Sequence, residues 1–326
     1  MLICQTVVSA VPITPDTRPE NASLKAFGGG KYRAASVVTS VCDGLSALVQ
    51  ETPNNSVSGV FTMCSPGANF TDLICAFYTP SEAPPIKSIT FAWFLLGFLN
   101  DLFTLNSDET AEMWIVPNYD LELDGVLVGN LTVSEYQLAP TESQVAAVKG
   151  EVQPEIQALD LNPEWTVHYT GNQIPLRTFL RLSVNLFVRF IFQVDQEATV
   201  ESVWTNKTVH TGRDPSTGAS LSVTFAELAS DFRQVAALTG SLTHNYFINT
   251  VGASQAKWET FKASMWSRKL QRNYLTMSLY IASAAEGSGT SSEEEGLGAA
   301  AVLPVTHREG NALRVVSEGD GSPAIL

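Results

Sequence analysis

A mainly β fold, an antiparallel sandwich with a few short helices, is what the sequence predicts, and three observations lead there. Leu180, Leu182, Val184, Leu186, Val188, Phe190, Phe192 and Val194 are all apolar, while Arg181, Ser183, Asn185, Arg189 and Gln193 alternate with them. A period of two over this length predicts a long strand with one face in a core. Shorter runs of the same kind follow: Val200 to Trp204, Leu221 to Phe225 and Tyr274 to Ala284, with turn formers from Asp214 to Gly218. The third observation is composition: 44% of the residues are hydrophobic but only 16% are charged, and Ser, Thr, Asn and Gln fill much of the polar surface.

Taken in order, residues 1–38 carry Pro12, Pro15, Pro19 and Gly28-Gly29-Gly30 with little periodicity and read as an extended arm. Ser40 to Gln50 reads as a short helix, with Ser40 and Asp43 spaced as a capping box and Val41, Leu45, Leu48 and Val49 on one face. Val57 to Met63 and Leu73 to Tyr78 are β-prone pieces separated by Ser65-Pro66-Gly67. From Ser88 or Thr90 a helix begins whose Phe91, Trp93, Phe94, Leu95, Phe98, Leu99, Leu102 and Phe103 cover most of its circumference, which requires burial. Its uninterrupted apolar run is well short of the roughly 20 residues of a membrane span. A strand from Ala111 follows, which Pro117 is expected to end.

Asp124-Gly125 and Gly129-Asn130 then mark tight turns between strands. Residues 140–163 read as a long loop, and Trp165 to Tyr169 as a strand. Ala253 to Arg272 reads as a second amphipathic helix, with Trp258, Phe261, Met265, Trp266 and Leu270 as its stripe. From Glu286 Gly, Ser and Glu dominate, which predicts a flexible acidic tail. The expected organisation is an arm at 1–38, one body at 39–285 and a tail at 286–326.

The chemistry these residues allow is narrow. A net charge of −14 over 326 residues opposes nonspecific binding to phosphate backbones unless bases cluster, and the clearest cluster is Lys262, Arg268, Lys269 and Arg272. Cys4, Cys42, Cys64 and Cys75 have no C-x-x-C spacing and read as buried free thiols; no zinc or redox motif is present. Sequons stand at Asn21, Asn54, Asn69, Asn130 and Asn206, a number that an Asn- and Ser/Thr-rich chain produces by chance. The first residues have neither a basic nor a sustained apolar region, which predicts an intracellular origin.

Asp120-x-Glu122-x-Asp124-Gly125 opens like a calcium loop, but Leu131 takes the position of the required Glu, so a solvated hairpin edge is expected. None of His168, His210, His244 and His307 has metal-ligand spacing, and no G-x-S-x-G elbow occurs. No enzyme, metal or cofactor is therefore expected.

In the order of its elements the chain resembles the capsid proteins of picorna-like viruses of the dicistrovirus, iflavirus and marnavirus kind. Val41 to Glu51 is similar to the short segment those proteins place before the barrel, and Phe91 to Pro117 to their aromatic helix leading into a strand. Trp165 to Thr170 stands at their Pro-Tyr-Tyr-Ser strand, and Ala229-Ser230-Asp231-Phe232-Arg233 resembles their Asp-Asp-Phe segment.

The resemblance implies an eight-stranded jelly roll that assembles with other capsid subunits into an icosahedral shell around RNA, in the virion and, during assembly, the host cytoplasm. It implies for Asp231 a role in maturation cleavage, and for the basic cluster contact with the genome. The alternative from the residues themselves is a β-sandwich attachment or carbohydrate-binding module, motivated by Trp114, Trp165, Trp204 and the acidic loops.

Overall fold

The computed structural model describes residues 18–50, 55–66, 72–137, 164–193, 203–204, 208–211, 213–225, 228–229, 258–267, 271–281 and 305–307. Its elements in the first half are β1 (Ala22–Arg33), α1 (Ala34–Gln50), β2 (Ser56–Val57), β3 (Phe61–Pro66), β4 (Asp72–Pro80), β5 (Ile86–Lys87), α2 (Ser88–Leu105), β6 (Met113–Leu123) and β7 (Val126–Gln137). In the second half they are β8 (Glu164–Gln173), α3 (Leu176–Gln193), β9 (Val203–Trp204), β10 (Thr208–His210), β11 (Ala219–Phe225), β12 (Leu228–Ala229), β13 (Glu259–Ser267), β14 (Arg272–Ile281) and β15 (Val305–His307). The fold is mainly β, with antiparallel sheets, as the sequence predicts.

Two sheets carry the architecture, and each is drawn from one half of the chain apart from β15. The six-stranded sheet runs β15-β1-β6-β7-β4-β3 and the five-stranded sheet β10-β11-β14-β13-β8. The halves repeat one topology. In the first, strand, helix, hairpin, helix and hairpin give the order β1-β6-β7-β4-β3; in the second, β8, α3, the β10–β11 hairpin and the β13–β14 hairpin give β8-β13-β14-β11-β10. Strand for strand the neighbours correspond. The helices line the inner faces: α1 packs on β3 and β4, α2 on β1 and β6, α3 on β10 and β11, and α1 meets α3. One apolar cluster runs through all of these elements, from Leu24 and Trp93 to Leu221 and Met277.

The buried helix α2 follows from its sequence. Phe91, Trp93, Phe94, Leu95, Phe98, Leu99 and Leu102 are all buried, and 67% of its 18-residue window is enclosed by the protein, although by length and composition alone it could cross a membrane. Its N-cap is Lys87, with no side-chain cap; the Ser88 hydroxyl instead donates to the Asn55 carbonyl. Asn106 closes the other end, its side chain donating to the carbonyls of Leu102 and Ile115 and accepting from the Ile115 N–H. Helix and strand are thus joined by one amide.

Several expectations are corrected. Residues 180–193 lie in α3, not in a strand. The helix buries Leu176, Thr178, Phe179, Leu180, Leu182, Ser183, Val184 and Leu186, a face so wide that its even-numbered members mimic a strand's alternation. Two of its arginines are neutralised by tertiary partners: Arg177 pairs with Glu109 at 2.6 Å, and Arg181 with Asp214. The expected helix at 253–272 is, over its described residues, the strand β13 and the first residue of β14. Phe261, Ala263 and Met265 face the core while Lys262 is exposed, so period two wins over the helical stripe.

Within the expected arm, Ala22–Arg33 is the strand β1, with Ala22, Leu24 and Ala26 buried, and α1 begins at Ala34. Ser40 and Asp43 therefore sit inside α1, and the Ser40 hydroxyl bonds the Val37 carbonyl rather than capping a helix. Pro117 does not end its strand. The β1–β6 register passes from Phe27↔Asn118 to Gly30↔Val116, leaving Pro117 opposite the bulge at Gly28 and Gly29, where no ladder donor is needed.

Asp124 and Gly125 both take positive φ, 53° and 75°, and make the expected tight turn, whereas Gly129-Asn130 lies within β7. Cys64 and Cys75 are bonded to each other across the β3–β4 pair, not free. Cys42 is free and buried. The loop at 140–163 and residues 1–17 lie outside the described residues, as does the tail from 286 apart from Val305–His307, which are not tail-like but form β15, paired in parallel with Leu24 to Ala26 of β1.

Candidate functional site

The side of the five-stranded sheet turned away from α3 is the candidate site. Along β13, β14 and β11 the buried residues Phe261, Ala263, Met265, Leu275, Met277, Leu279, Leu221 and Val223 face inward. Their neighbours in sequence therefore face outward and, by cross-strand register, fall into rows.

One row reads Thr166, Ser264, Thr276, Thr224 and Thr208, each residue paired with the next across adjacent strands. The adjoining row reads His168, Lys262, Ser278, Ser222 and His210. With strands about 4.8 Å apart, five of them make a row of about 19 Å. Thr166, His168, Lys262, Thr276 and His210 are exposed, and the others are half-buried.

These two rows contain hydroxyls, two imidazoles and one ammonium, and no carboxylate, in a chain with 33 acidic residues. The hydroxyls of Thr208 and Thr224 lie 2.9 Å apart, and those of Thr170 and Thr260 2.5 Å apart farther along the sheet. Two aromatic residues bracket the rows: Trp266, half-buried beyond Ser264 on β13, and Tyr280, 37% exposed beyond Ser278 on β14. Hydroxyls able to donate or accept, flanked by flat apolar rings, can bind a polyhydroxylated chain.

The turn that carries β11 away from β10 is firmly held. Asp214 is buried; burial alone would raise its carboxyl, but hydrogen bonds from Ser216 and Thr217 and the Arg181 guanidinium together hold it below the usual carboxylate range. The Asp214 carboxylate accepts from the Thr217 N–H at 2.9 Å and the Ser216 N–H at 3.0 Å. This anchors to α3 the turn that adjoins His210 and Ser222.

The outer face of the six-stranded sheet is different in kind. Lys25 pairs with Glu122 at 2.5 Å, and Asn130 donates to Asp120 at 2.5 Å. The acidic run from Asp120 to Asp124 is thus the hairpin edge expected of it, its carboxylates meeting Lys25, Asn130 and Asn21. Among the described residues no group of three His, Cys, Asp or Glu side chains could hold a metal.

Of the residues singled out from sequence, Lys262 lies on the candidate face, one strand in from the β8 edge and cross-strand from His168. Arg272 opens β14, paired with Ser267. Arg268, Lys269 and Asp231 lie outside the described residues. Trp114 is fully buried against Phe103 and belongs to the core, so it is no ligand platform. The hydroxyl rows escaped the sequence reading because they form only when five strands align; their signal is the Lys262-x-Ser264-x-Trp266 and Thr276-x-Ser278-x-Tyr280 alternation.

No family model and no curated protein matches the chain. Among solved structures it shows a likeness to the tandem DUF26 ectodomain of the cysteine-rich receptor-like protein PDLP5 from Arabidopsis thaliana, with 8% identity, covering 78% of this chain and 96% of that one. The TM-score is 0.22, too low to support any statement about shared fold or function.

Proposed function

We propose that the protein is a binding module, not an enzyme, and that it holds a carbohydrate chain across the outer face of the five-stranded sheet. The observation that carries this reading is the pair of carboxylate-free rows, Thr166 to Thr208 and His168 to His210, bracketed by Trp266 and Tyr280. A neutral polymer rich in hydroxyls offers donors and acceptors along its length, and the rows answer with both; a sugar ring's apolar face stacks on Trp or Tyr. Nucleic acid is disfavoured by the net charge of −14, with Lys262 the one cation in the two rows. Glycan-array screening of the full chain, backed by co-sedimentation with insoluble polysaccharides, is the test. Retention by one glycan class that is lost in Thr276→Glu supports the reading, and no retention on any glycan removes it.

A second reading is the capsid subunit, with a jelly-roll body, companion subunits, RNA and the virion as its setting. Two observations favour it: the aromatic helix α2 leads into β6, and Trp165–Thr170 is extended within β8, both at the positions the resemblance implies. Against it, the long strand on which the jelly-roll expectation leaned is α3, and each main sheet takes its strands from one half of the chain apart from β15. Co-expression with the companion subunits and electron microscopy distinguishes the two, since a carbohydrate module makes no shells.

A further inference from the structure

We infer that Asn21 is an N-glycan acceptor at the rim of the six-stranded sheet, and that the chain matures in an oxidising secretory compartment. Asn21-Ala22-Ser23 has the acceptor pattern, in which the hydroxyl residue two positions on is required. Asn21 is exposed in the turn that leads into β1, and the very next residue, Ala22, is buried, so the attachment point is fixed while its side chain faces water. Its Nδ2 donates to the Asp124 carboxylate at 2.7 Å, a contact between exposed groups on the tip of the β6–β7 hairpin. Losing that contact costs little, because water replaces it.

The second, independent observation is the Cys64–Cys75 bond, which lies directly cross-strand between β3 and β4. Disulfides persist in oxidising compartments, and N-glycans are attached in one of them. Asn130-Leu131-Thr132 has the same pattern but a different setting. Asn130 is half-buried in mid-strand, and its amide donates to Asp120 at 2.5 Å across the β6–β7 pair. A sugar there would break a contact inside the sheet, so the geometry favours Asn21.

The step balances with a polyprenyl-diphosphate-linked oligosaccharide as donor. The Asn21 Nδ2 forms a bond to the sugar C1, the C1–O bond to diphosphate breaks, and the polyprenyl diphosphate leaves as the amide loses one proton. No redox change occurs.

The test is expression of the full chain behind a secretory leader in a eukaryotic host, with enzymatic deglycosylation in ¹⁸O water and peptide mass spectrometry. The expected result is an ¹⁸O-labelled Asp at position 21, and loss of one glycan's mobility step in Ser23→Ala with an unchanged circular dichroism spectrum. Secreted protein unmodified at Asn21, or a chain that is retained and never secreted, overturns the inference. Carbohydrate binding measured on the unglycosylated Ser23→Ala protein tests the proposed function separately, so failure of one reading leaves the other standing.

Discussion

Ser264 of β13 and Thr276 of β14 stand directly opposite each other at the centre of the five-stranded sheet. Thr276 in turn faces Thr224 of β11, so three hydroxyl side chains cross the middle of the outer face without a charged residue between them. Direct cross-strand neighbours have Cβ atoms about 4.5–5.5 Å apart, so one bulky charge at this point reaches both rows.

The bulge in β1 depends on Gly29. Its φ is +123°, and an added Cβ would come within 2.4 Å of the Val116 carbonyl oxygen and 2.7 Å of the Pro117 Cα. Gly29→Ala should destabilise the protein by about 2 kcal/mol or more, since both the backbone conformation and the contact with rigid backbone oppose it. Gly125→Ala, with open space around it, should cost less; urea midpoints of the two variants check the order.

Asp43 on α1 has its carboxyl pushed up to about 8 by burial. Its unfolded value is near the ordinary one of about 3.9, so between these the folded state binds more protons than the unfolded state. Stability attributable to Asp43 is therefore full below about pH 4 and is lost as pH rises to about 8. Asp43→Asn should flatten that decline and raise stability at pH 9 by about 1–3 kcal/mol, read from urea unfolding across pH.

The Cys64–Cys75 bond closes a short loop, with a sequence separation of 11. The double variant Cys64→Ser/Cys75→Ser should lose about 2–3 kcal/mol through the freer unfolded chain. Dithiothreitol should lower the melting temperature of the wild type toward that of the variant, and leave the variant's unchanged.

Tyr119 donates to the Asp101 carboxylate at 2.5 Å inside the core, and burial together with that charge raises the phenol far above its ordinary range. Tyr119→Phe should cost about 1–3 kcal/mol, since a buried carboxylate loses a donor. Chemical denaturation measures it; a cost near zero would mean that water enters to replace the phenol.

What was legible in the sequence divides along physical lines. Helix α2 was legible because Phe91 to Leu102 are apolar on nearly every side, which no half-exposed element tolerates. The Asp124-Gly125 turn was legible because its residue types are those that accept positive φ.

Helix α3 was not, because the partners that let Arg177 and Arg181 enter a buried helix, Glu109 and Asp214, lie 68 and 33 residues away. Strand β13 offered both periods at once: Trp258, Phe261 and Met265 at helical spacing, and Phe261, Ala263 and Met265 at strand spacing. Pairing with β8 and β14 decides between them. The repeat of the two halves resides in hydrogen-bond order rather than in side chains, so nothing in the residues announces it.

The most direct measurement of the central claim is a titration of isotope-labelled full chain with the best-retained oligosaccharide, followed by nuclear magnetic resonance. Shifts should concentrate on Thr166, Ser264, Thr276, Thr224 and Thr208 and on the Trp266 indole, and the affinity should fall at least 10-fold in Ser264→Glu and Thr276→Glu. Shifts confined to the six-stranded sheet, or undiminished binding in both variants, would contradict the account.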